Sequence, residues 1–222
     1  MELDYDGDMS AADGNGTSNG TSKEQFGQYF SQISEVGILI LRSLVGRKVH
    51  RVYAGCLQVS GAHFTAPHFS IPISDEIEGR WIHRYIIFGC EWFETPITFT
   101  DYWQMFVSDE DKPKDIEVDS TSAIVAPCTI NYYGAAAIRA IEIYGFSWSA
   151  GEKEERETVT YDQSIRFLLE DGRSFCIACQ LDGPGVATEV HISEDEETIR
   201  SLLEGSRLRL TITAAQEVER AG

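Results

Sequence analysis

The sequence predicts an α+β protein that consists mainly of antiparallel β-strands, with an N-terminal helix and a C-terminal helix. Hydrophobic residues make up 42% and aromatic residues 11% of the 222-residue chain, which is enough to bury a core. From residue 47 onward, β-branched and aromatic residues alternate with polar residues at the period of a strand. Two segments instead carry the capping residues of helices. A meander, a barrel-like sheet and two β-lobes are all compatible with this pattern.

The first helix is predicted to begin after Ser22. Ser22 is the N-cap, and Gln25, three residues later, completes the spacing of a capping box. Gly46 is placed to end the helix at the C′ position, because glycine adopts the left-handed conformation that this position favours. The residues that line the apolar face at helical spacing are Phe26, Phe30, Ile33, Ile40, Leu41 and Leu44.

Eight strands are predicted between this helix and the second one. The clearest hairpin lies within residues 164–178, where Asp171 and Gly172 suit the positive φ angles of a two-residue type I′ turn. A short internal similarity between residues 46–53 and 136–144 would suit two related β-lobes, but chance explains it at least as well, since short apolar strands resemble one another. The predicted strands are 48–57, 63–71, 81–94, 122–130, 136–146, 158–170, 174–181 and 185–192.

The second helix is predicted over residues 194–204, followed by a last strand over 207–213. Ser193 is the predicted N-cap, Glu196 occupies the N3 position, and Gly205 follows the last turn. The last strand alternates arginine and threonine with leucine and isoleucine.

One domain over residues 22–213 is predicted from the chain length, with two lobes of about 22–120 and 121–213 as the alternative. Residues 1–21 are rich in glycine, serine, asparagine and acidic residues, a composition that predicts a disordered acidic leader. Residues 214–222 are predicted to form a frayed tail.

The chain contains 36 acidic residues and 18 lysine or arginine residues, a formal net charge of -18. This excess of negative charge argues against nucleic acid or an anionic membrane as a direct partner, because phosphate binding needs clustered basic residues. The same charge allows a basic protein as the partner, and it equally allows a surface whose charge only keeps the protein soluble.

The predicted location is the cytoplasm. The N-terminus is acidic where a signal peptide is basic, and the longest apolar run, residues 36–41, is too short to span a bilayer. The five cysteines are odd in number and lie mostly within apolar runs, which indicates reduced, buried thiols rather than a disulfide framework.

No catalytic or cofactor motif is present in the sequence. Cys176 and Cys179 have the spacing of half a zinc site, but they lie in a predicted strand, where residues three apart point to opposite faces. No second cysteine pair, zinc-protease helix, nucleophile elbow or phosphate-binding loop accompanies them. We therefore predict no enzymatic activity, no cofactor and no metal.

Two features point to a binding surface instead. Residues 81–106 are dense in aromatic side chains and are flanked by Glu91, Glu94 and Asp101, a composition typical of protein-binding hot spots. The alternative, which we favour for most of these aromatic residues, is that they belong to a large core. Acidic residues also cluster in 109–119 and 152–157, where they would steer a basic partner. The predicted aromatic anchors are Trp92, Tyr102 and Trp103, and the predicted steering residues are Asp109, Glu110, Asp111, Glu154 and Glu155.

Three stretches, 138–145, 161–167 and 170–172, form a pattern of strand and turn that resembles the immunity proteins of bacterial polymorphic toxins. The resemblance implies a bacterial, non-enzymatic protein that neutralises a cognate toxin by covering its active surface. It assigns no role to any individual residue.

Two other functions are compatible with the sequence. In the first, a small-ligand-binding or enzymatic β-barrel encloses a pocket to which His63, His68 or His83 contributes polar groups. In the second, the chain is a structural subunit of a larger assembly.

Overall fold

A computed structural model describes residues 27–114, 116–118, 124–125, 128–132, 136–152, 156–180 and 189–214. The predicted leader, residues 1–21, and residues 215–222 of the predicted tail lie outside this described part. The helices are α1, Glu35–Leu44, and α2, Glu196–Leu202. The strands are β1 Gln28–Ser31, β2 Arg51–Ala54, β3 Gln58–Ser60, β4 His63–Ala66, β5 His68–Ile77, β6 Arg80–Glu94, β7 Asp101–Glu110, β8 Glu117–Val118, β9 Ile124–Val125, β10 Cys128–Asn131, β11 Ile138–Ala150, β12 Glu157–Leu169, β13 Ser174–Gln180, β14 Glu189–Ser193 and β15 Arg207–Thr213.

The strands form two main sheets, and the predicted class of mainly antiparallel β-structure is confirmed. The larger sheet has the order β15-β11-β12-β13-β14-β4-β3, and the smaller has the order β10-β2-β5-β6-β7. Strands β8 and β9 pair with each other. The exception to antiparallel pairing is β1, which lies parallel to the first part of β12. Each main sheet contains strands from both halves of the chain, since β3 and β4 join the larger sheet and β10 joins the smaller.

The two main sheets face each other across one hydrophobic core. Strand β7 contacts β12 and β13, and β6 contacts β13 and β14. Phe88 of the smaller sheet meets Phe167 of the larger one edge to face, with ring centroids 5.9 Å apart. Burial of such side chains from both sheets is the main contribution to the stability of the fold.

A disulfide also joins the two sheets. Cys90 of β6 and Cys179 of β13 are bonded, with their Cα atoms 6.2 Å apart. The prediction that all cysteines are reduced thiols is therefore wrong for this pair. The sequence did not reveal the bond because its ends lie 89 residues apart and meet only when the sheets pack.

Helix α1 begins later than predicted. Its N-cap is Ser34, whose Oγ accepts a hydrogen bond from the Gly37 N–H at 3.1 Å. The predicted cap, Ser22, lies outside the described residues, and the predicted helical segment 28–31 is the strand β1. Pairing with β12, which no local pattern reveals, overrides helical periodicity here. Gly46 follows the helix with a φ of 84°, as the C′ position requires.

Helix α2 is shorter than predicted and has a different cap. Its N-cap is Asp195, whose Oδ2 accepts a hydrogen bond from the Thr198 N–H at 2.8 Å. Ser193, the predicted cap, ends β14 and donates its hydroxyl to the Ala62 carbonyl at 2.8 Å. Because Ser193 is paired within the sheet, Asp195 accepts the hydrogen bond from the first turn of the helix in its place.

The turn between β12 and β13 is also longer than predicted. The Leu169 N–H bonds to the Arg173 carbonyl at 2.9 Å, so three residues, 170–172, form the loop. Among these three, only Gly172 has a positive φ, 87°. The type I′ prediction is wrong, and this is the three-residue loop that ends on a left-handed glycine.

Strand β7 was missed by the sequence analysis. Its residues 102–107 are apolar or aromatic except at Gln104, so no alternation is visible.

Pro67 divides the predicted strand 63–71 into β4 and β5, which belong to different sheets. The predicted strand 48–57 shortens to β2, and 122–130 becomes β9 and β10 within the described residues. Strand 185–192 is described only from residue 189, as β14, whereas 207–213 agrees with β15.

No helix among the described residues is long and apolar enough to cross a membrane.

Candidate protein-binding site

The β6–β7 hairpin brings together two tryptophans and two acids that the sequence analysis singled out. The two strands pair from Tyr85 to Glu94, and Trp92 lies opposite Trp103 while Glu94 lies opposite Asp101. Since side chains alternate along a strand, these four residues share one face of the hairpin. Trp92 is 52% exposed, and Glu94 and Asp101 are also exposed.

The turn at the end of this hairpin presents two more apolar side chains to solvent. Ile97 is 45% exposed and Phe99 is 69% exposed. Together with the four residues above they form a surface that we call the hairpin patch: Trp92, Glu94, Ile97, Phe99, Asp101 and Trp103. Trp103 is half-buried, and its Nε1 is buried with no acceptor among the described residues. A patch of adjoining apolar and acidic groups is typical of an interaction site.

Hydrogen bonds within the turn hold its backbone in one conformation. The Thr95 N–H donates to the Thr100 carbonyl at 3.1 Å, and the Phe99 N–H donates to the Thr95 carbonyl at 3.1 Å. Phe99 has a φ of 48°, in the left-handed region that a bulky side chain rarely adopts. This local strain persists because the surrounding contacts determine the backbone, which is a common property of binding loops.

The strongest of these contacts comes from Glu157, at the start of β12. Its carboxylate accepts hydrogen bonds from the Ile97 N–H at 3.1 Å and from the Thr98 N–H at 2.7 Å. The Thr98 hydroxyl donates to the same carboxylate at 2.6 Å. Glu157 is fully buried, so these charge-assisted bonds attach the turn to the larger sheet.

The environment of Glu157 keeps it ionised at neutral pH. Burial on its own raises the pKa of a carboxyl group. Here the hydrogen bonds from the Thr98 hydroxyl and N–H, from Thr95 and from Tyr29 outweigh burial and lower the pKa of Glu157 to about 2. In turn, burial and the neighbouring Glu157 carboxylate raise the pKa of Tyr29.

Tyr102 does not belong to the exposed surface, so its prediction as a surface anchor is wrong. It is buried, with its ring 5.4 Å from that of Phe93 in a stacked arrangement. Its other neighbour is Tyr161 of β12, at 5.7 Å between ring centroids. Tyr102 points to the face of β7 opposite Trp103, because adjacent residues on a strand alternate. It therefore supports the hairpin from behind.

The predicted acidic cluster 109–111 is largely balanced by basic groups. Asp109 forms an ion pair with Arg84, which also pairs with Asp75 at 3.1 Å. Asp75 in turn pairs with Arg47 at 2.6 Å, and the hydrogen bond from Arg47 is the main reason that the pKa of Asp75 is lowered. These two acids and two arginines carry no net charge together.

Of the other predicted steering residues, Glu110 and Asp111 are exposed. Lys112 and Lys114 are exposed in the same short segment and offset their charge. Glu154 and Glu155 lie outside the described residues. Among the described residues, exposed acids adjoin exposed aromatic groups in the hairpin patch and also where Glu76 lies opposite Trp81, at the other end of β6.

The three histidines of the alternative function do not share one site. The His63 ring lies 5.1 Å from that of His191, and the His68 ring lies 6.0 Å from that of Phe106. His83 is exposed and forms a hydrogen bond with Ser74 at 2.8 Å. These separate neighbours distribute the histidines over three places in the fold.

The structure also locates the cysteine pair of the sequence analysis. Cys176 packs against Ile199 of α2, whereas Cys179 faces the core between the sheets, so the two point to opposite faces as predicted. Among the described residues, no three His, Cys, Asp or Glu side chains are grouped so that they could hold a metal ion.

Two residues of the site, Ile97 and Phe99, were missed from sequence. The available signal was the pair of apolar side chains in a segment that starts with a proline, Pro96, and alternates with threonine. Glu157 lies in the acidic run 152–157 that was predicted to steer a partner, and this prediction is wrong for Glu157 because its side chain is buried. Its contact with the turn could not be predicted, since about sixty residues separate the two in the chain.

Comparison with protein-family models, with curated proteins and with solved structures finds no match to this chain.

Proposed function

We propose that this chain is a non-enzymatic protein-binding protein that neutralises a partner, in the manner of a toxin inhibitor, by covering the partner's active surface. The observation that supports this proposal is the hairpin patch. Ile97 and Phe99 are exposed on a turn whose backbone conformation is held by the buried carboxylate of Glu157. A loop that is already ordered loses little conformational entropy on binding, so its exposed side chains contribute more of their burial energy to affinity.

The charges of the patch favour a basic partner. Glu94 and Asp101 lie directly opposite each other on neighbouring strands, and such a pair of like charges destabilises a hairpin. Lysine or arginine side chains of a partner would relieve this repulsion and would approach faster in the negative field of the chain. Trp92 and Phe99 then supply the apolar contacts that are buried in the complex.

Glu110, Asp111, Glu154 and Glu155 stay in the proposal as contributors to long-range steering. Asp109 contributes less, since its charge is offset by Arg84. The bacterial and cytoplasmic setting stays part of the same proposal, with the resemblance to immunity proteins as its support.

Affinity purification from the native host tests the proposal, with variants that separate this surface from others. The double variant Ile97→Ser/Phe99→Ser removes the exposed apolar groups of the patch. Trp81→Ser is the matched control. Trp81 is also an exposed apolar side chain, at 65% exposure, but it lies near the start of β6, whereas the patch begins near the end of that strand. We expect one protein to be retained by the wild type and by the control but lost with the double variant, and the purified chain to inhibit that protein's activity. Retention by all three forms would contradict the assignment of the patch.

The salt dependence of association tests the role of charge once that partner is purified. Glu94→Gln/Asp101→Asn is expected to lower the association rate constant at low salt and to flatten its salt dependence. For a comparison at equal change in net charge, Asp101→Asn alone is set against Asp109→Asn, with a smaller effect expected for Asp109→Asn because Arg84 already offsets that charge. Equal effects of these two single changes would show that steering depends on net charge rather than on the patch.

A further inference from the structure

A cavity of about 570 Å³ lies at the side of the larger sheet, remote in chain position from the hairpin patch. Strands β11, β12 and β15 form its walls, together with the segment that leads into α1. Its polar and aromatic lining comes from Gln32, Phe146, Ser147, Thr160, Arg207 and Arg209. Cavities of this size, with a few polar groups placed around an apolar wall, are typical of small-molecule sites.

Arg209 is fixed in this cavity by a buried carboxylate. It donates from Nε to Asp162 Oδ1 and from Nη2 to Asp162 Oδ2, both at 2.6 Å. The Asp162 side chain is only 1% exposed, and it also accepts a hydrogen bond from the Ile33 N–H at 2.7 Å. The Nη1 group of Arg209 has no partner among the described residues, so its two N–H donors are available to a ligand. An arginine oriented in this way is ready to bind a carboxylate or phosphate.

The backbone is shaped to bring Arg209 to this position. The pairing of β15 with β11 shifts register there, since Leu208 and Leu210 have partners and Arg209 has none. A bulge of this kind turns a side chain out of the regular alternation of the strand. Gly145 lies beside Asp162, and a Cβ at this glycine would be 3.8 Å from Asp162 Oδ1.

Both charged side chains in the lining of the cavity are arginines, Arg207 and Arg209, on a protein of net charge -18. The Asp162 carboxylate offsets the charge of Arg209, so the positive charge of the cavity comes from Arg207, for which no ion pair is found among the described residues. The larger cavity of about 670 Å³ beside α2 differs, because its lining mixes arginines with glutamates and its Arg166 is bonded to Glu196 at 2.9 Å. A positive cavity in a negative protein concentrates anions where the surrounding surface repels them.

We propose that this cavity binds a small oxyanion, a molecule with a carboxylate or phosphate group. Arg207 and Arg209 bind the anionic group. Further hydrogen bonds to the ligand come from Gln32, Ser147 and Thr160. Phe146 contacts the apolar part of the ligand. Asp162 is a positioning residue that holds the Arg209 guanidinium in place. The proposal is independent of the hairpin patch and of its partner.

Titration of the isotope-labelled full chain with inorganic phosphate and, separately, with acetate tests this site by NMR. We expect saturable shifts in the backbone N–H signals of Gly145, Ser147 and Arg207, and the anion that binds more tightly identifies the ligand class. Arg207→Gln is expected to weaken binding about tenfold, because it removes charge-assisted hydrogen bonds from an exposed residue that the fold does not need.

Two further variants make the test specific. Arg200→Gln removes one arginine from the mixed cavity beside α2, so the same change in net charge is expected to leave the affinity within about twofold. Arg209→Lys keeps a charge above Asp162 but loses the two-pronged contact, and is expected to weaken binding without unfolding the chain. Non-saturable shifts with both anions, or equal losses in Arg207→Gln and Arg200→Gln, would overturn the proposal.

Discussion

Replacement of Glu157 by glutamine tests whether a buried carboxylate orders the turn of the hairpin patch. The variant keeps the size of the side chain and one carbonyl oxygen but replaces the other acceptor with an NH₂ donor. Three donors from Ile97 and Thr98 converge on the two carboxylate oxygens, at 2.6 to 3.1 Å. The NH₂ group must therefore face at least one donor, which leaves that donor buried and without an acceptor.

The expected loss follows from these contacts. Leaving one buried donor unsatisfied costs about 1–3 kcal/mol, and the remaining bonds lose the assistance of the negative charge. We therefore expect Glu157→Gln to lower the free energy of unfolding by about 2–4 kcal/mol at neutral pH. Glu94→Gln is the matched control, since Glu94 is exposed and no hydrogen bond of its side chain is found among the described residues. Its expected change is within about 0.5 kcal/mol.

The pH dependence of the free energy of unfolding tests the contacts of Glu157 a second time. The pKa of Glu157 is about 2 in the folded chain, below its ordinary value of 4.5. A carboxyl group with a lowered pKa stabilises the fold fully above pH 4.5 and loses this contribution as the pH falls from 4.5 toward 2. The difference between wild type and Glu157→Gln should therefore shrink across this range.

Urea denaturation followed by tryptophan fluorescence, at pH 7 and at intervals down to pH 2.5, measures both quantities. A loss at pH 7 no larger than that of Glu94→Gln would refute the reasoning. So would a difference between wild type and Glu157→Gln that stays constant as the pH falls. In either case the turn would owe its order to its internal threonine hydrogen bonds.

Three further predictions concern the turn, the disulfide and the cap. Phe99→Gly is expected to leave stability unchanged or slightly raised, because glycine adopts a φ of 48° without strain. The same change is expected to abolish partner binding. Calorimetric unfolding measures the first effect and a binding assay the second. Reduction of the Cys90–Cys179 disulfide is expected to lower the free energy of unfolding, measured by chemical denaturation, by about 2–5 kcal/mol. Thiol titration of the unreduced, denatured chain should find three of the five cysteines as free thiols. An unreduced chain with five reactive thiols would contradict the disulfide. Asp195→Ala is expected to cost about 1 kcal/mol through loss of the α2 cap, and a neutral result would show that packing alone positions this helix.

Much of the β-structure was predictable because it depends on local patterns. The segment 207–213 agrees with β15 since one face of that strand is more buried than the other, which leaves a visible alternation. Strand β7 was not predictable in the same way, because residues on both of its faces are buried or half-buried and are mostly apolar, so the alternation disappears. Likewise, β1 becomes a strand through its pairing with β12, although its residues fit a helical pattern.

The site was predicted in part for the same reason. Trp92, Trp103, Glu94 and Asp101 stand out by composition, and the register of the β6–β7 hairpin places them on one face. Tyr102 has the same composition signal but is buried, because its position in the alternation turns it toward Tyr161. Composition identifies residues that are able to bind, whereas their exposure depends on which side of the strand they occupy.

The mainly antiparallel class, the negative charge and the aromatic density of residues 81–106 could be predicted from the amino-acid sequence, since each depends on residue types and on spacing within a single segment. Which of these features meet depends on the packing of the sheets. This packing joined Cys90 to Cys179, attached the 95–100 turn to Glu157, and brought Arg209 above Asp162. All three contacts link residues far apart in the chain, and only the packing and register of the sheets bring such residues within bonding distance.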